Sequence, residues 1–294
     1  MTIEQARLDR DHVEVSVVLP AHNEVALLSS TVLNIADGLR DRGVVYEIVL
    51  VENGSSDGTL QLARLLSAQI AQLRVIDLGQ ADYGAALAAG FAAARADIVV
   101  SFDVDYYDLA FFDASVPMVR AGQAAIVLAS KRAPGAQDRR PLLRRILTTV
   151  FATIVRTTLH LKVRDAHGMK AIDKRAVASL AAACVMRGSL FDVELVVRAT
   201  RAGLCLVEIP ATVIERRPPR TSVFTRSIEG LLGVFQLYFV LQSEQTASTF
   251  LARLPRNATI RALATLRRSL GATRKRSSVL QATRQYDEGP SLQP

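Results

Sequence analysis

The chain has 294 residues, half of them apolar, which is length for one large domain or two small ones and enough apolar surface for a substantial core. Its 36 Lys and Arg exceed its 28 Asp and Glu by eight, yet nine basic and only two acidic residues lie from Gln245 onward, so the body is nearly neutral. That asymmetry argues against a nucleic-acid-binding core and predicts a basic appendage beside an anionic surface, lipid head groups above all. Two cysteines and four scattered histidines make neither a disulfide framework nor a zinc spacing, and the expected compartment is reducing cytosol.

The first 130 residues alternate short apolar runs with alanine-rich segments of helical length. The runs are VEVSVVLP ending at Pro20, EIVLVEN at Asn53, RVIDLG at Gly79, DIVVSFDVD at Asp105 and AAIVLASK at Lys131. Each reads as a strand buried on both faces with a helix between neighbours, which predicts βαβ units and an α/β fold. Beyond Pro141 come a helix over LLRRILTTVFATIVRTTLHL and an extended piece near Gly168 to Ile172. Helices over Lys174 to Ala183 and Asp192 to Ala202, a strand-like run CLVEIPATVIERR and a helix from Arg226 to Ser243 follow. Residues 1–245 are expected to form the catalytic domain and residues 246–294 a basic amphipathic helix with a disordered tail. No greasy stretch reaches the roughly 18 to 20 uninterrupted apolar residues that span a bilayer, and the N-terminus lacks the apolar stretch of a signal peptide.

Parallel sheets place ligand sites at the carboxyl ends of their strands, so the polar residues there are the ones to inspect. Asp103-Val104-Asp105 follows an apolar strand, and alternation points both carboxylates to one side with Val104 inward. Two carboxylates so placed repel unless a cation joins them, and Mg²⁺ or Mn²⁺ with a substrate diphosphate satisfies both; on the tripeptide alone a surface acidic turn is the alternative. LPAHNE, VENGSSDGT and GQADYGAALAAG accompany the DVD. Asn53, Gly54 and the serines beside them hold tight turns and offer N–H groups to anions, Glu52 is a hydrogen-bond acceptor for a base or ribose hydroxyl, and Gly84 opens a helix that a ligand can approach closely. Arg216 and Lys170 read as ordinary solvated surface charge.

The ordered set LPAHNE, VENGSSDGT, DYGAALAAG, DVD, ASKR and IERRPPRTS resembles the family 2 glycosyltransferases of GT-A fold, and within them the polyprenyl-phosphate (dolichyl-phosphate) mannose and glucose synthases, over residues 14–225. The resemblance implies a Rossmann-like mixed sheet flanked by helices, with C-terminal amphipathic helices. It implies nucleotide contacts at Pro20, Ala21, Asn23, Glu24 and Glu52, a close approach at Gly84, and metal and diphosphate contacts at Asp103 and Asp105. Lys131 stands where the mannose synthases carry an arginine, with Arg132 beside it. Arg217 to Ser222, including Arg220, resembles a phosphate-binding segment, and Asp165 in RDAHGMKAI resembles a sugar-orienting aspartate. The pattern departs at Glu52 in place of Asp, Tyr107 in place of a metal-contacting Gln, Arg220 in place of Gly, and Val223 in place of Lys.

The implied reaction is metal-dependent, inverting transfer of a hexose from a GDP- or UDP-sugar to a polyprenyl phosphate. The lipid phosphate is largely ionised at neutral pH and needs no general base. Lys131, Arg132, Arg217 and Arg220 fit its charge. A hydroxyl acceptor would instead need a carboxylate base, for which Asp192 and Glu194 in SLFDVELVVRA are the candidates. The Tyr107 and Val223 departures also leave open a non-catalytic membrane-bound relative. The expected location is the cytosolic membrane face, held peripherally by arginine-flanked apolar stripes; for the two stripes before the tail, burial in the protein's own core or in a homo-oligomer interface is the alternative.

Overall fold

The computed structural model describes residues 13–138, 142–213 and 223–253. Arg217, Arg220, Arg216 and the tail from residue 254 lie outside them. The chain divides into two compact units, the first ending at Leu237 and the second beginning at Tyr238. The elements, in order, are β1 (Val15–Ala21), α1 (Val25–Asp41), β2 (Tyr46–Glu52), α2 (Thr59–Gln69), β3 (Leu73–Asp77), α3 (Tyr83–Ala93), β4 (Ile98–Ser101), α4 (Leu109–Arg120) and β5 (Ile126–Ser130). After them come β6 (Gln137–Asp138), α5 (Leu142–Leu159), β7 (Lys170–Asp173), α6 (Lys174–Ala183), α7 (Leu190–Arg201), β8 (Leu206–Pro210), β9 (Thr212–Val213) and α8 (Val223–Arg253).

Every residue of β1 and β2 is buried, which is why these strands read as continuous apolar runs rather than alternating ones. Seven strands form one sheet in the order β3-β2-β1-β4-β7-β5-β8, and β6 pairs with β9 apart from it. β2, β1, β3 and β4 are mutually parallel, as are β5 and β8, while β7 runs antiparallel between β4 and β5. The sheet is therefore mixed, as the resemblance implied. Chain order reverses direction between β1 and β4, and a crevice opens beyond the carboxyl ends of strands at such a point. Because β7 enters from that end, its first residue, Lys170, lies in register with Ser101 at the end of β4.

Aspartates set the starts of α3, α4 and α6. Asp82 accepts the Ala85 N–H, Asp108 the Ala110 N–H, and Asp173 the N–H groups of Arg175 and Ala176. The opposite end of the sheet is closed by a buried polar knot. Glu47, 3% exposed, accepts from the Ser16 hydroxyl at 2.7 Å, the Arg95 N–H at 2.6 Å and Arg74 at 2.8 Å, joining three neighbouring strands. Glu47→Leu leaves the Ser16 hydroxyl and the Arg95 amide short of an acceptor and should cost about 1–3 kcal/mol. A urea midpoint unchanged from the parent's would contradict this.

Candidate active site

Three loops meet beyond the ends of β1, β2 and β3. Asn23 adopts a left-handed backbone at φ 55°, its N–H donates to the Ser55 hydroxyl at 2.9 Å, and its side-chain oxygen accepts the Ser56 N–H at 2.8 Å. Glu24 is buried, and its N–H donates to the Thr59 hydroxyl at 2.8 Å. Asn53 takes the Asp82 N–H on its side-chain oxygen at 2.5 Å, which fastens the β2 loop to the start of α3. Gly54 has φ 66°, and a Cβ there would lie 2.7 Å from the Gln80 carbonyl carbon, so both conformation and space demand glycine. Pro20 and Ala21 are buried at the end of β1. The structure thus brings Pro20, Ala21, Asn23, Glu24, Glu52, Asn53 and Gly54 together.

Two of these residues work differently from the sequence expectation. The Glu52 carboxylate, 1% exposed, turns back to accept the N–H groups of Gly54 at 3.2 Å and Ser55 at 2.6 Å, so it shapes the loop before it meets any ligand. Gly84 faces α7 and its leading loop, where a Cβ would come within 2.7 Å of Phe191 Cβ and 3.0 Å of the Gly188 carbonyl. Its smallness serves helix packing.

The DVD does not continue β4. The strand ends at Ser101, and Asp103 and Tyr106 exchange two backbone hydrogen bonds of 3.0 and 3.1 Å in a tight turn. Val104 is buried, as alternation suggested, and its carbonyl accepts the Thr31 hydroxyl at 2.7 Å. The Tyr83 hydroxyl donates to Asp103 Oδ1 at 3.0 Å. Desolvation, then the charges of Asp105 and Asp192, push the Asp103 carboxyl up to about 6. Burial and the same carboxylates push the Tyr83 phenol well above its ordinary value, so it remains a donor. Tyr107, which departs from the resembling synthases' metal-contacting Gln, accepts a 3.0 Å hydrogen bond from Asn34 on α1.

Asp103 and Asp105 are hard oxygen donors under mutual repulsion, which is the condition a divalent cation relieves. Among the described residues no cluster of three acidic, histidine or cysteine side chains surrounds such an ion. Substrate oxygens and water would complete the shell, which suits Mg²⁺ or Mn²⁺.

Beside Asp103 opens a cavity of about 730 Å³ lined by Tyr83, Lys131, Arg132, Asp165, His167 and Asp192. Behind its lining residue Asp192 lies a partner that sequence reasoning missed. Lys170, read as surface charge, is wholly buried, and its ammonium sits 2.8 Å from Asp192 Oδ1, off the hydrogen-bonding direction, while donating to the Gly168 carbonyl at 2.8 Å. A charge in the sheet interior is tolerated only when paired, and the pair spans β7 and α7. Asp165, 4% exposed, binds Arg132 at 3.3 Å and the His167 N–H at 3.2 Å, so it braces the loop that walls the cavity. Arg132 also donates to the Thr148 carbonyl of α5. His167 stacks on Phe151, and burial lowers its pKa, leaving a neutral imidazole. Lys170 and His167 are each a single polar residue in an apolar neighbourhood, and no spacing marks them.

A sequence signature described as glycosyl transferase family 2 matches residues 16–179, more than half of the chain. Glycosyltransferase AglD of Haloferax volcanii is 32% identical over 206 residues, which cover 67% of this chain and 32% of that protein, so the chain spans about a third of AglD's length. An uncharacterized glycosyltransferase of Mycobacterium tuberculosis is 30% identical over 227 residues, 77% of this chain and 97% of the relative. The fold matches glucosyl-3-phosphoglycerate synthase from Mycobacterium tuberculosis, solved with Mn²⁺, UDP-glucose and phosphoglyceric acid, at a TM-score of 0.59 and 21% identity, over 81% of this chain and 84% of that one. The chain belongs to glycosyl transferase family 2. Its sheet is the GT-A fold, and the protein is a glycosyltransferase.

The raised Asp103 pKa has a sign that can be measured. Its folded value lies above the ordinary 3.8, so in the metal-free protein its contribution to stability is present below about pH 4 and lost as pH rises through about 6. Metal-free Asp103→Asn should therefore melt at a higher temperature than the parent near pH 8, the gap closing toward pH 4. Mn²⁺ with UDP should stabilise the parent and not the variant. Thermal melts in which the gap between variant and parent does not widen from pH 4 to pH 8 would rule out the buried charge.

Proposed function

We propose that this glycosyltransferase moves a hexose, with inversion, from a nucleoside diphosphate sugar to the phosphate of a polyprenyl phosphate at the cytosolic face of a membrane. The observation that carries the acceptor class is the state of the two carboxylates a hydroxyl acceptor would need. Asp192 is held against the Lys170 ammonium. Glu194, 0% exposed, accepts Arg198 on one oxygen at 2.7 Å and the N–H groups of Val185 and Met186 on the other at 2.8 and 2.7 Å. Both are spent on architecture. A phosphate monoester, with its second pKa near 6, arrives already ionised and has no proton to give up.

In this reading the loops of Asn23, Asn53 and Gly54 seat the nucleotide. Asp103 and Asp105 would hold a divalent cation, which would supply charge neutralisation for the departing diphosphate. Tyr83 fixes the Asp103 carboxylate through its hydroxyl. The acceptor oxygen forms the new bond to the anomeric carbon as the bond to the diphosphate breaks. Lys131 and Arg132 face that oxygen's charge, with Arg217 and Arg220 as further cations outside the described residues. Support for a UDP-sugar donor and a phosphate-bearing acceptor comes from the ligands of glucosyl-3-phosphoglycerate synthase.

The lipid half of the proposal rests on α5 and the first half of α8. Val155 and Leu159 face inward while Leu142, Ile146 and Val150, four residues apart, stand 53–71% exposed, and Leu232 and Phe235 on α8 stand 66% and 47% exposed. Among the described residues no helix is long and apolar enough to cross a membrane, so the proposed attachment is peripheral.

A hydroxyl acceptor has one observation in its favour. His167 lines the same cavity as a neutral imidazole able to take a proton. The double variant Lys170→Met/Asp192→Leu removes the ion pair without stranding a charge. With farnesyl phosphate as acceptor it and His167→Gln should each keep turnover within about tenfold, whereas losing a general base costs on the order of 10²–10⁴ in rate. A loss in the latter range for either variant would assign a base and defeat the phosphate reading. Separately, Leu142→Glu/Ile146→Glu should weaken co-sedimentation with vesicles of anionic phospholipid and leave Mn²⁺-dependent UDP binding intact. Undiminished sedimentation would remove the membrane face.

A further inference from the structure

Arg187 was not singled out by any motif, yet it is the most deliberately placed cation at the mouth of the cavity. It lies in the segment 184–189 that joins α6 to α7, and that segment is pinned at three backbone groups. Glu194 holds the N–H groups of Val185 and Met186, and Asp82 Oδ1 holds the N–H of Gly188 at 3.0 Å. Two carboxylates, one buried and one half-buried, hold this six-residue connection, and what the fixing achieves is the position of the intervening side chain. Arg187 lines the cavity but remains 78% exposed, its Nε 3.7 Å from Asp82 Oδ2. At that separation and exposure the ion pair is weak, and the guanidinium can exchange Asp82 for a better anion at little cost.

Asp82 also caps α3 through the Ala85 N–H and takes its own place from Asn53. Arg187 therefore stands between the donor loops and the acceptor cavity. On the other wall, Lys131 reaches the same cavity from the end of β5, and Arg132 Nε is a buried donor without a partner. An unsatisfied buried N–H is costly, and a ligand oxygen would satisfy it. These cations frame one space from two sides, while the carboxylates beneath, Asp103, Asp165 and Asp192, are each already held by Tyr83, Arg132 or Lys170.

We infer that Arg187, with Lys131 and Arg132 Nε opposite, forms the seat of the acceptor's phosphate monoester, and that Arg187 leaves Asp82 to bind it. The inference rests on the phosphate in the proposed acceptor but not on its lipid, because a guanidinium fork recognises a phosphoryl group whatever it is attached to.

Binding of two probes to the full chain loaded with Mn²⁺ and UDP, farnesyl phosphate in detergent micelles and 3-phosphoglycerate in buffer, separates the sources by calorimetry. Arg187→Gln should weaken whichever probe the parent binds by about tenfold or more, with Arg187→Lys intermediate, the scale expected of one charge-assisted contact. Affinity for Mn²⁺ and UDP should stay within about twofold of the parent's. Binding of 3-phosphoglycerate and not farnesyl phosphate would discard the lipid acceptor and keep the seat. Unchanged probe affinity in Arg187→Gln, or a fall in UDP affinity in its place, would overturn the seat even if the lipid acceptor stands. A parent that binds neither probe would overturn both.

Discussion

A lysine ammonium buried in the middle of a sheet dictates much of what surrounds it. Lys170 opens the antiparallel strand β7 beside the end of β4, and the nearby partner able to carry its charge is Asp192 at the start of α7. An unpaired charge there would cost several kcal/mol, so the pair fixes the distance between the sheet and α7. Through α7 it fixes the loop of Arg187, and through the sheet it fixes the turn of Asp103. The carboxylate that could have served as a base is converted into a structural counter-ion, and the negative charge left at Asp103 and Asp105 is what a divalent cation matches.

The donor side obeys a second constraint, the closeness of three loops. Asn23 is hydrogen-bonded to Ser55 and Ser56 of the β2 loop, Asn53 takes the Asp82 N–H, and Gly54 is squeezed against Gln80. Each loop alone is a polar turn with several conformations. Together they hold one arrangement, with Glu52 turned inward to support it. The cavity beside Asp103 is built the other way, with Phe151 and Ala152 of α5 and Leu190 of α7 among its walls and Lys131, Arg132 and Arg187 lining it.

Much of this was legible in the sequence. Apolar runs bounded by polar turns gave the parallel strands, since a strand buried on both faces tolerates no polar alternation. DVD, NGSSDG and HNE marked the site because parallel strands all end on the same side. Less legible were the reasons for single residues. Gly84 read as room for a ligand and is room for Phe191. Tyr107 stands at a position associated with metal contact and engages Asn34. Lys170 read as solvated and is the most deeply buried charge at the site.

What the sequence alone determined was the alternation of elements, the edge of the sheet that carries chemistry and the family of reaction, because these follow from local pattern and chain order. What only the tertiary structure decided was which charges neutralise which. Lys170 and Asp192 are separated by the helix α6 and the segment 184–189, Asp82 and Arg187 by several strands and helices, and electrostatic partners are chosen by distance in space. Whether a carboxylate is a base, a ligand or a counter-ion depends on that distance, and no spacing along the chain encodes it.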